Sequence, residues 1–161
     1  PDVLSQVQVT LLIAGEFWKD KNAYLRLIRR LKLEKRIIII DEYIPNEDVG
    51  AYFRAADLVV QPYVSATGSG VVQVAYGFGR PVIATSISSL EEVVEDEATG
   101  YLVSPGDSKA LAGAIIRFFR EGKAKVFSQN IEKRKHRYSW EKMVHTIEDA
   151  AVSSPARKDP A

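Results

Sequence analysis

Along this chain, apolar runs alternate with stretches whose apolar residues recur every three or four positions. Val7 to Ala14, Ile37 to Ile40, Asp57 to Val60, Pro81 to Ala84 and Tyr101 to Val103 are short and rich in β-branched residues. Such runs predict strands buried on both faces. Between them the spacing turns helical. Tyr24, Leu27, Ile28 and Leu31 mark one face, and Val49, Tyr52, Phe53 and Ala56 a second. Leu111, Ala114, Ile115 and Phe118 mark a third, and Trp140, Met143, Val144 and Ile147 a fourth. A further apolar helix is predicted over Val71 to Phe78, closed by Gly79. Asn46, Asp107 and Ser139 are expected N-caps, and Ser89 with Glu92 has capping-box spacing. Strand followed by helix, repeatedly, predicts an α/β fold with a doubly wound parallel sheet. One domain over residues 1–152 is expected, with a disordered tail at 153–161.

Composition narrows the function classes. The 161 residues are 46% hydrophobic and 27% charged, which excludes wholesale disorder. There is no cysteine, so a disulfide scaffold, a thiolate metal site and a cysteine nucleophile are excluded. Lys and Arg total 22 against 21 Asp and Glu, a balance that argues against a general nucleic-acid binder. His136 and His145 are expected bystanders, and no His, Asp or Glu cluster has metal-ligand spacing. The run Lys133 to Arg137 reads as a solvated basic face, with a membrane-surface or acidic-partner role as the alternative. No apolar run approaches the roughly 18 residues of a membrane span. Pro1-Asp2-Val3-Leu4 does not resemble a signal peptide, and with no initial Met the chain is expected to be a piece of a longer one.

In doubly wound sheets, ligands bind beyond the carboxyl ends of the strands. Candidate chemistry therefore belongs to the loops Gly15 to Asp20, Asp41 to Ile44, Gln61 to Gly70 and Thr85 to Ser89. The segment Ser65-Ala66-Thr67-Gly68-Ser69-Gly70 is built from small residues and leads from a strand into a helix. Small residues let backbone N–H groups approach a ligand, and a helix N-terminus favours anions. Two readings stand: a phosphate cradle with hydroxyls from Ser65, Thr67 and Ser69, or a tight turn. Asp41 and Glu42 are either acceptors for a ribose or base, or a solvated strand end. Tyr43 is expected to cover the sheet end, with base stacking as the alternative. Gly77 to Pro81 is read as structural, a helix stop followed by a strand start.

Several stretches, in order, resemble the donor domain of the group 1 family of retaining glycosyltransferases. Leu11-Leu12-Ile13-Ala14-Gly15-Glu16 is similar to the family's strand ending in Gly and an acid. Arg36 to Ile40 followed by Tyr43-Ile44-Pro45 resembles its second strand and Pro-containing loop. Tyr52 to Pro62, with Ala56-Asp57, resembles its Tyr-x-x-Ala-Asp strand. Gly79-Arg80-Pro81-Val82-Ile83-Ala84-Thr85 is close to its Gly-Lys-Pro-Val-Ile-Ala-Thr. Leu90 to Val94, Thr99 to Val103 and Ser139-Trp140-Glu141 continue in register. Many members carry two glutamates eight positions apart around the glycine loop; here those places hold Ala66 and Val74. The Ser65 to Val71 segment instead matches a Ser-Ala-Thr-x-Ser-Gly-Val variant of the loop.

The resemblance implies a Rossmann-like half of the two-domain GT-B architecture. The family's acceptor domain, and the first strand–helix unit of the donor domain with its Arg/Lys diphosphate clamp, lie N-terminal to this region. It implies transfer of a sugar from a nucleotide sugar, with retention, to a saccharide or lipid-linked acceptor, without a metal or other cofactor. Polysaccharide biosynthesis in the cytoplasm, or at the inner membrane face, is the setting it suggests. Gly68, Ser69, Gly70 and Val71 would hold the diphosphate through backbone N–H groups. Ser65, Thr67 and Gln73 would contact phosphate or sugar, and Glu16, Tyr43 and Ile44 would lie near the base. No catalytic residue is assigned. This chain alone is expected to be inactive. Two rivals are a non-catalytic nucleotide-binding or assembly module and a GT-B nucleotide-sugar epimerase.

Overall fold

The computed structural model describes residues 1–17, 20–65 and 70–134. The elements run β1 (Leu11–Ala14), α1 (Lys21–Arg30), β2 (Ile37–Ile40), α2 (Asn46–Ala55), β3 (Val59–Gln61), α3 (Gly70–Gly77), β4 (Val82–Thr85), α4 (Ser88–Glu91), β5 (Gly100–Val103), α5 (Ser108–Arg120) and α6 (Ala124–Arg134). All strand pairs are parallel. The α/β alternation read from the sequence therefore holds. The described strands form two parallel sheets, β1–β2 and β3–β4–β5, where one continuous sheet was expected.

The three-stranded sheet holds the core. β4 is buried along its whole length, and its side chains alternate between two clusters. Val82 and Ala84 pack with Val72, Ala75 and Tyr76 of α3 on one face. Ile83 packs with Tyr101 and Val103 of β5 and with Phe118 of α5 on the other. Helices thus cover both faces, which is why β4 carries no polar alternation. A further helix, α6, was not expected from the sequence. It contributes Phe127 to the α5 side and Ile131 to the α3 side. Its apolar positions are spaced too sparsely among Lys, Gln, Asn and Glu to stand out as a face. Arg134, part of the basic run, pairs with Glu95 at 2.8 Å.

Burial on both faces fails for the other sheet. Leu11 of β1 is 47% exposed and Ile38 of β2 is 52% exposed. Leu11 lines a cavity of about 1250 Å³ that separates β1 from β3; Ile38 does not line it. β1 is also shorter than expected. Residues 1–7 make turns, with the Val7 N–H donating to the Val3 carbonyl, and the strand begins only at Leu11.

Local expectations divide. Asp107 caps α5, its carboxylate accepting from the Lys109 and Ala110 N–H groups. Asn46 is the first residue of α2, not its cap; Pro45 occupies that place without a side-chain bond. The Ser89–Glu92 box does not form, since α4 starts at Ser88 after Ile87. Gly79 ends α3 at φ +66°, and the Arg80 N–H returns to the Ala75 carbonyl at 2.8 Å, closing the helix as expected. The helix expected after Ser139, both histidines and the tail lie outside the described residues.

Candidate functional site

The carboxyl ends of β1, β2 and β3 lead into the loops where binding was expected. At the first, the chain turns at Gly15 with φ +126°, a value that favours glycine. Phe17 then donates its N–H to Asp41 Oδ1 at 3.0 Å, and Lys21 Nζ lies 2.5 Å from Asp41 Oδ2. The Lys21 hydrogen bond, helped by the Phe17 N–H, holds the Asp41 carboxyl below the usual carboxylate range. Asp41 is therefore engaged in tying the loop after β1 to the end of β2. Of the two acids weighed as ligand acceptors, Glu42 remains exposed. Glu16 is exposed beside this tie. Tyr43 does not cover the sheet end; it is 67% exposed. Ile44 is half-buried.

After β3, Pro62 to Ser65 run exposed toward α3. Thr67, Gly68 and Ser69 lie outside the described residues. Gly70 opens α3, is exposed, and among the described residues has nothing within 4 Å of where a Cβ would stand. Its dihedral is not left-handed, so glycine is not required there for backbone geometry. Gly70 and Val71 are the first described residues of α3. Val72, Ala75 and Tyr76 turn into the core, leaving Val71, Gln73 and Val74 outward. Ile44, Gly70, Val71 and Val74 line the cavity between β1 and β3. Glu16, Tyr43, Ser65 and Gln73 do not line it.

Sequence reasoning missed the role of Thr85. It is buried at the end of β4, and its hydroxyl donates to the Tyr63 carbonyl at 2.6 Å. This fixes the start of the loop that leads to the glycine segment. A polar residue closing an otherwise apolar strand was the available signal. Beside it, the Ser86 hydroxyl donates to Glu91. Arg80 is not a free surface cation: it donates to the Arg54 carbonyl at 2.8 Å, across from α3 to α2.

A separate charge cluster lies elsewhere among the described residues. Arg117 bridges Glu97 at 2.6 Å and Glu121 at 3.0 Å, and stacks over Tyr101. Its hydrogen bonds hold both glutamates below their ordinary range. Glu97 precedes β5, so this cluster sits away from the carboxyl-end loops. Among the described residues no group of His, Cys, Asp and Glu could hold a metal ion.

The family profile described as Glycosyl transferases group 1 matches residues 1–121. A D-inositol 3-phosphate glycosyltransferase from Mycobacterium bovis is 31% identical over 131 residues, covering 80% of this chain and 27% of that protein. The Salinispora tropica enzyme of the same name is 30% identical over 105 residues, covering 65% and 22%. HepE from Anabaena, solved with UDP-glucose, superposes with a TM-score of 0.77 at 25% identity, over 95% of this chain and 44% of that one. Sucrose-phosphate synthase from Thermosynechococcus elongatus gives 0.76 at 25%, over 94% and 41%. The chain spans between 22% and 36% of the length of the curated relatives it matches. With the profile covering three quarters of its length and a fold shared with GT-B enzymes, the chain belongs to the group 1 glycosyltransferases.

Proposed function

We propose that this chain forms the donor side of a retaining glycosyltransferase, which moves a sugar from a nucleotide sugar to a saccharide or lipid-linked acceptor. The observation that carries this reading is Gly70: an exposed, uncrowded helix start just after β3, bordering the cavity at the sheet centre. The N–H groups of Gly70 and Val71, with the helix dipole behind them, suit a diphosphate. Negative charge grows on that diphosphate as the glycosyl bond breaks, and fixed donors lower the barrier by meeting it. Ser65, Thr67, Gly68, Ser69 and Gln73 would complete the phosphate and sugar contacts. Glu16, the exposed Tyr43 ring and Ile44 would border the base. HepE's complex with UDP-glucose makes a uridine diphosphate sugar the first donor to assay.

No metal is assigned, since backbone donors and a basic clamp supplied by the rest of the enzyme would take its place. A cytoplasmic setting is proposed, and no described helix is long and apolar enough to cross a membrane. One observation favours a second reading. Val74, at a place where many members carry glutamate, faces outward and is 37% exposed, offering a sugar no acceptor. A binding module without chemistry would look the same there. Calorimetry of nucleotide sugars on the full-length parent, followed by a transfer assay, separates the two. Binding with transfer supports the enzyme, binding without transfer supports the module, and no binding overturns both.

A further inference from the structure

Gly15, one residue past β1, still bonds to β2: its N–H donates to the Ile40 carbonyl at 3.0 Å. Beyond it each chain enters a loop assigned above to the base. One carries Glu16, the other Tyr43 and Ile44. Asp41 follows Ile40 directly and spends both carboxylate oxygens across this gap. Oδ1 accepts from the Phe17 N–H at 3.0 Å, and Oδ2 meets Lys21 Nζ at 2.5 Å. The Phe17 N–H belongs to the peptide link that follows Glu16, so the bond sets the course of the backbone carrying Glu16. Lys21 is the first residue of α1, so the second contact fixes where the loop ends. Phe17 also rests its ring against Tyr24 of α1, with centroids 5.5 Å apart. Glu16, Lys21, Tyr24 and Asp41 are all exposed, and an exposed ion pair adds little to folding. What these bonds add is direction. With the chain turning at Gly15, φ +126°, one carboxylate decides how the two loops stand to each other.

We infer that Asp41 is a positioning residue for the nucleobase end of the donor site, holding Glu16 in a fixed place against Tyr43 and Ile44. It acts through the two loops and not by contact with the base, because its oxygens are turned to the chain's own donors. The inference rests on the donor-site reading above and adds to it the group that preorganises the base contacts. A carboxylate suits the task, since its two acceptor oxygens take a backbone N–H and an ammonium at once. It is charged at neutral pH, because the Lys21 and Phe17 donors hold its carboxyl below the usual range. Loops ordered before binding spare the ligand the cost of ordering them. Without the carboxylate the two loops take several relative positions, and the base must select one. Among the described residues no bond joins Asp41 to Gly70, so the diphosphate end is left as it was.

The test compares two probes on the full-length parent. The first is whichever of UDP, GDP and ADP binds most tightly by calorimetry. The second is inorganic pyrophosphate, read by its displacement of that nucleotide. In Asp41→Ala the nucleotide Kd rises about tenfold, the scale of ordering one or two side chains on binding. The pyrophosphate constant moves by less than about twofold, as for a site that shares no partner. Lys21→Met shows the same selective loss, and Lys21→Arg, which restores a donor for Oδ2, recovers the parental value. Melting midpoints are measured alongside, and if Asp41→Ala does not fold, the two Lys21 variants decide. A merely structural role weakens both probes together or neither. Unchanged nucleotide affinity in folded variants, equal loss for both probes, or no recovery in Lys21→Arg overturns the inference and leaves the donor-site reading standing. A parent that binds none of these nucleotides, or keeps its nucleotide against pyrophosphate, overturns the donor-site reading and the inference with it.

Discussion

The hydroxyl of Thr85 sits 2.6 Å from the carbonyl of Tyr63, joining the end of β4 to the loop that leaves β3. The bond is sheltered, with Thr85 only 3% exposed. It fixes the direction in which the chain departs toward Gly70. Thr85→Val keeps the shape and removes the donor, leaving a carbonyl short of a partner at a cost of about 1–2 kcal/mol. Urea denaturation should show that loss, and Thr85→Ser should recover most of it. In the full-length parent, donor affinity should fall further than the shift in folded fraction explains. An unchanged urea midpoint for Thr85→Val would remove this bond from the account.

Gly100 offers a sharper contrast among the glycines. A Cβ there would lie 1.7 Å from the Val82 carbonyl oxygen, inside the β4–β5 pairing. Side-chain flexibility cannot relieve a clash with backbone. Gly100→Ala should cost at least about 3 kcal/mol, at the upper end for overpacked cores. A cooperative melt as high as the parent's would contradict the pairing register. Gly77→Ala, where a Cβ meets nothing within 4 Å, should instead be neutral or mildly stabilising.

The sequence was most legible where burial is complete. β4 and β5, the Gly79 helix stop and the Asp107 cap follow from residues whose local preference and tertiary place agree. It was least legible where a tertiary contact decides. Asp41 read as either a ligand acceptor or a solvated strand end, because an acid after a strand has the same appearance whether it binds solvent, ribose or a lysine twenty residues upstream. Tyr43 looked like a cover for the sheet end, yet it stands exposed. α6 gave little signal because Phe127 and Ile131 are its only buried residues. The split of the sheet could not be read at all, since β1 has the composition of a two-sided strand while one of its edges is open.

Asp41 also makes the strand-end loops acid-sensitive. Its folded pKa lies below the ordinary value, so its contribution is present above the unfolded pKa of about 4 and lost as pH falls through the folded one. Glu97 and Glu121, held by Arg117, have the same sign. All three are solvent-accessible, so the effect is modest and weakens with salt. Thermal midpoints should fall between about pH 6 and about pH 3, and fall less in Asp41→Asn, which has no charge to lose. Equal slopes for the two proteins would mean that the Lys21 pair contributes nothing to folding. Tyr101 acts in the other direction: burial raises its pKa, so its share is intact below an unfolded value of about 10 and lost at higher pH.

The decisive variant for the donor site is Gly70→Asp. Gly70 is exposed, its dihedral is ordinary and a Cβ there meets nothing among the described residues, so the aspartate should fold. A carboxylate near a helix N-terminus is if anything stabilising. Its charge would compete for the N–H groups that the diphosphate needs. Two like charges about 4 Å apart repel by roughly 1 kcal/mol even at water's dielectric, and by more once partly desolvated. Steric occupation adds to that. Donor affinity in the full-length parent should therefore fall at least about tenfold, equivalent to about 1.4 kcal/mol. Gly113→Asp is the matched control, because Gly113 is also exposed on a helix with open space around it and lies on α5. Arg80→Ala cannot serve, since it severs the bond to the Arg54 carbonyl and should lower stability. Gly70→Ala separates the two contributions, adding bulk without charge. If Gly70→Asp melts like the parent and still binds nucleotide sugar at parental affinity, the start of α3 does not hold the diphosphate.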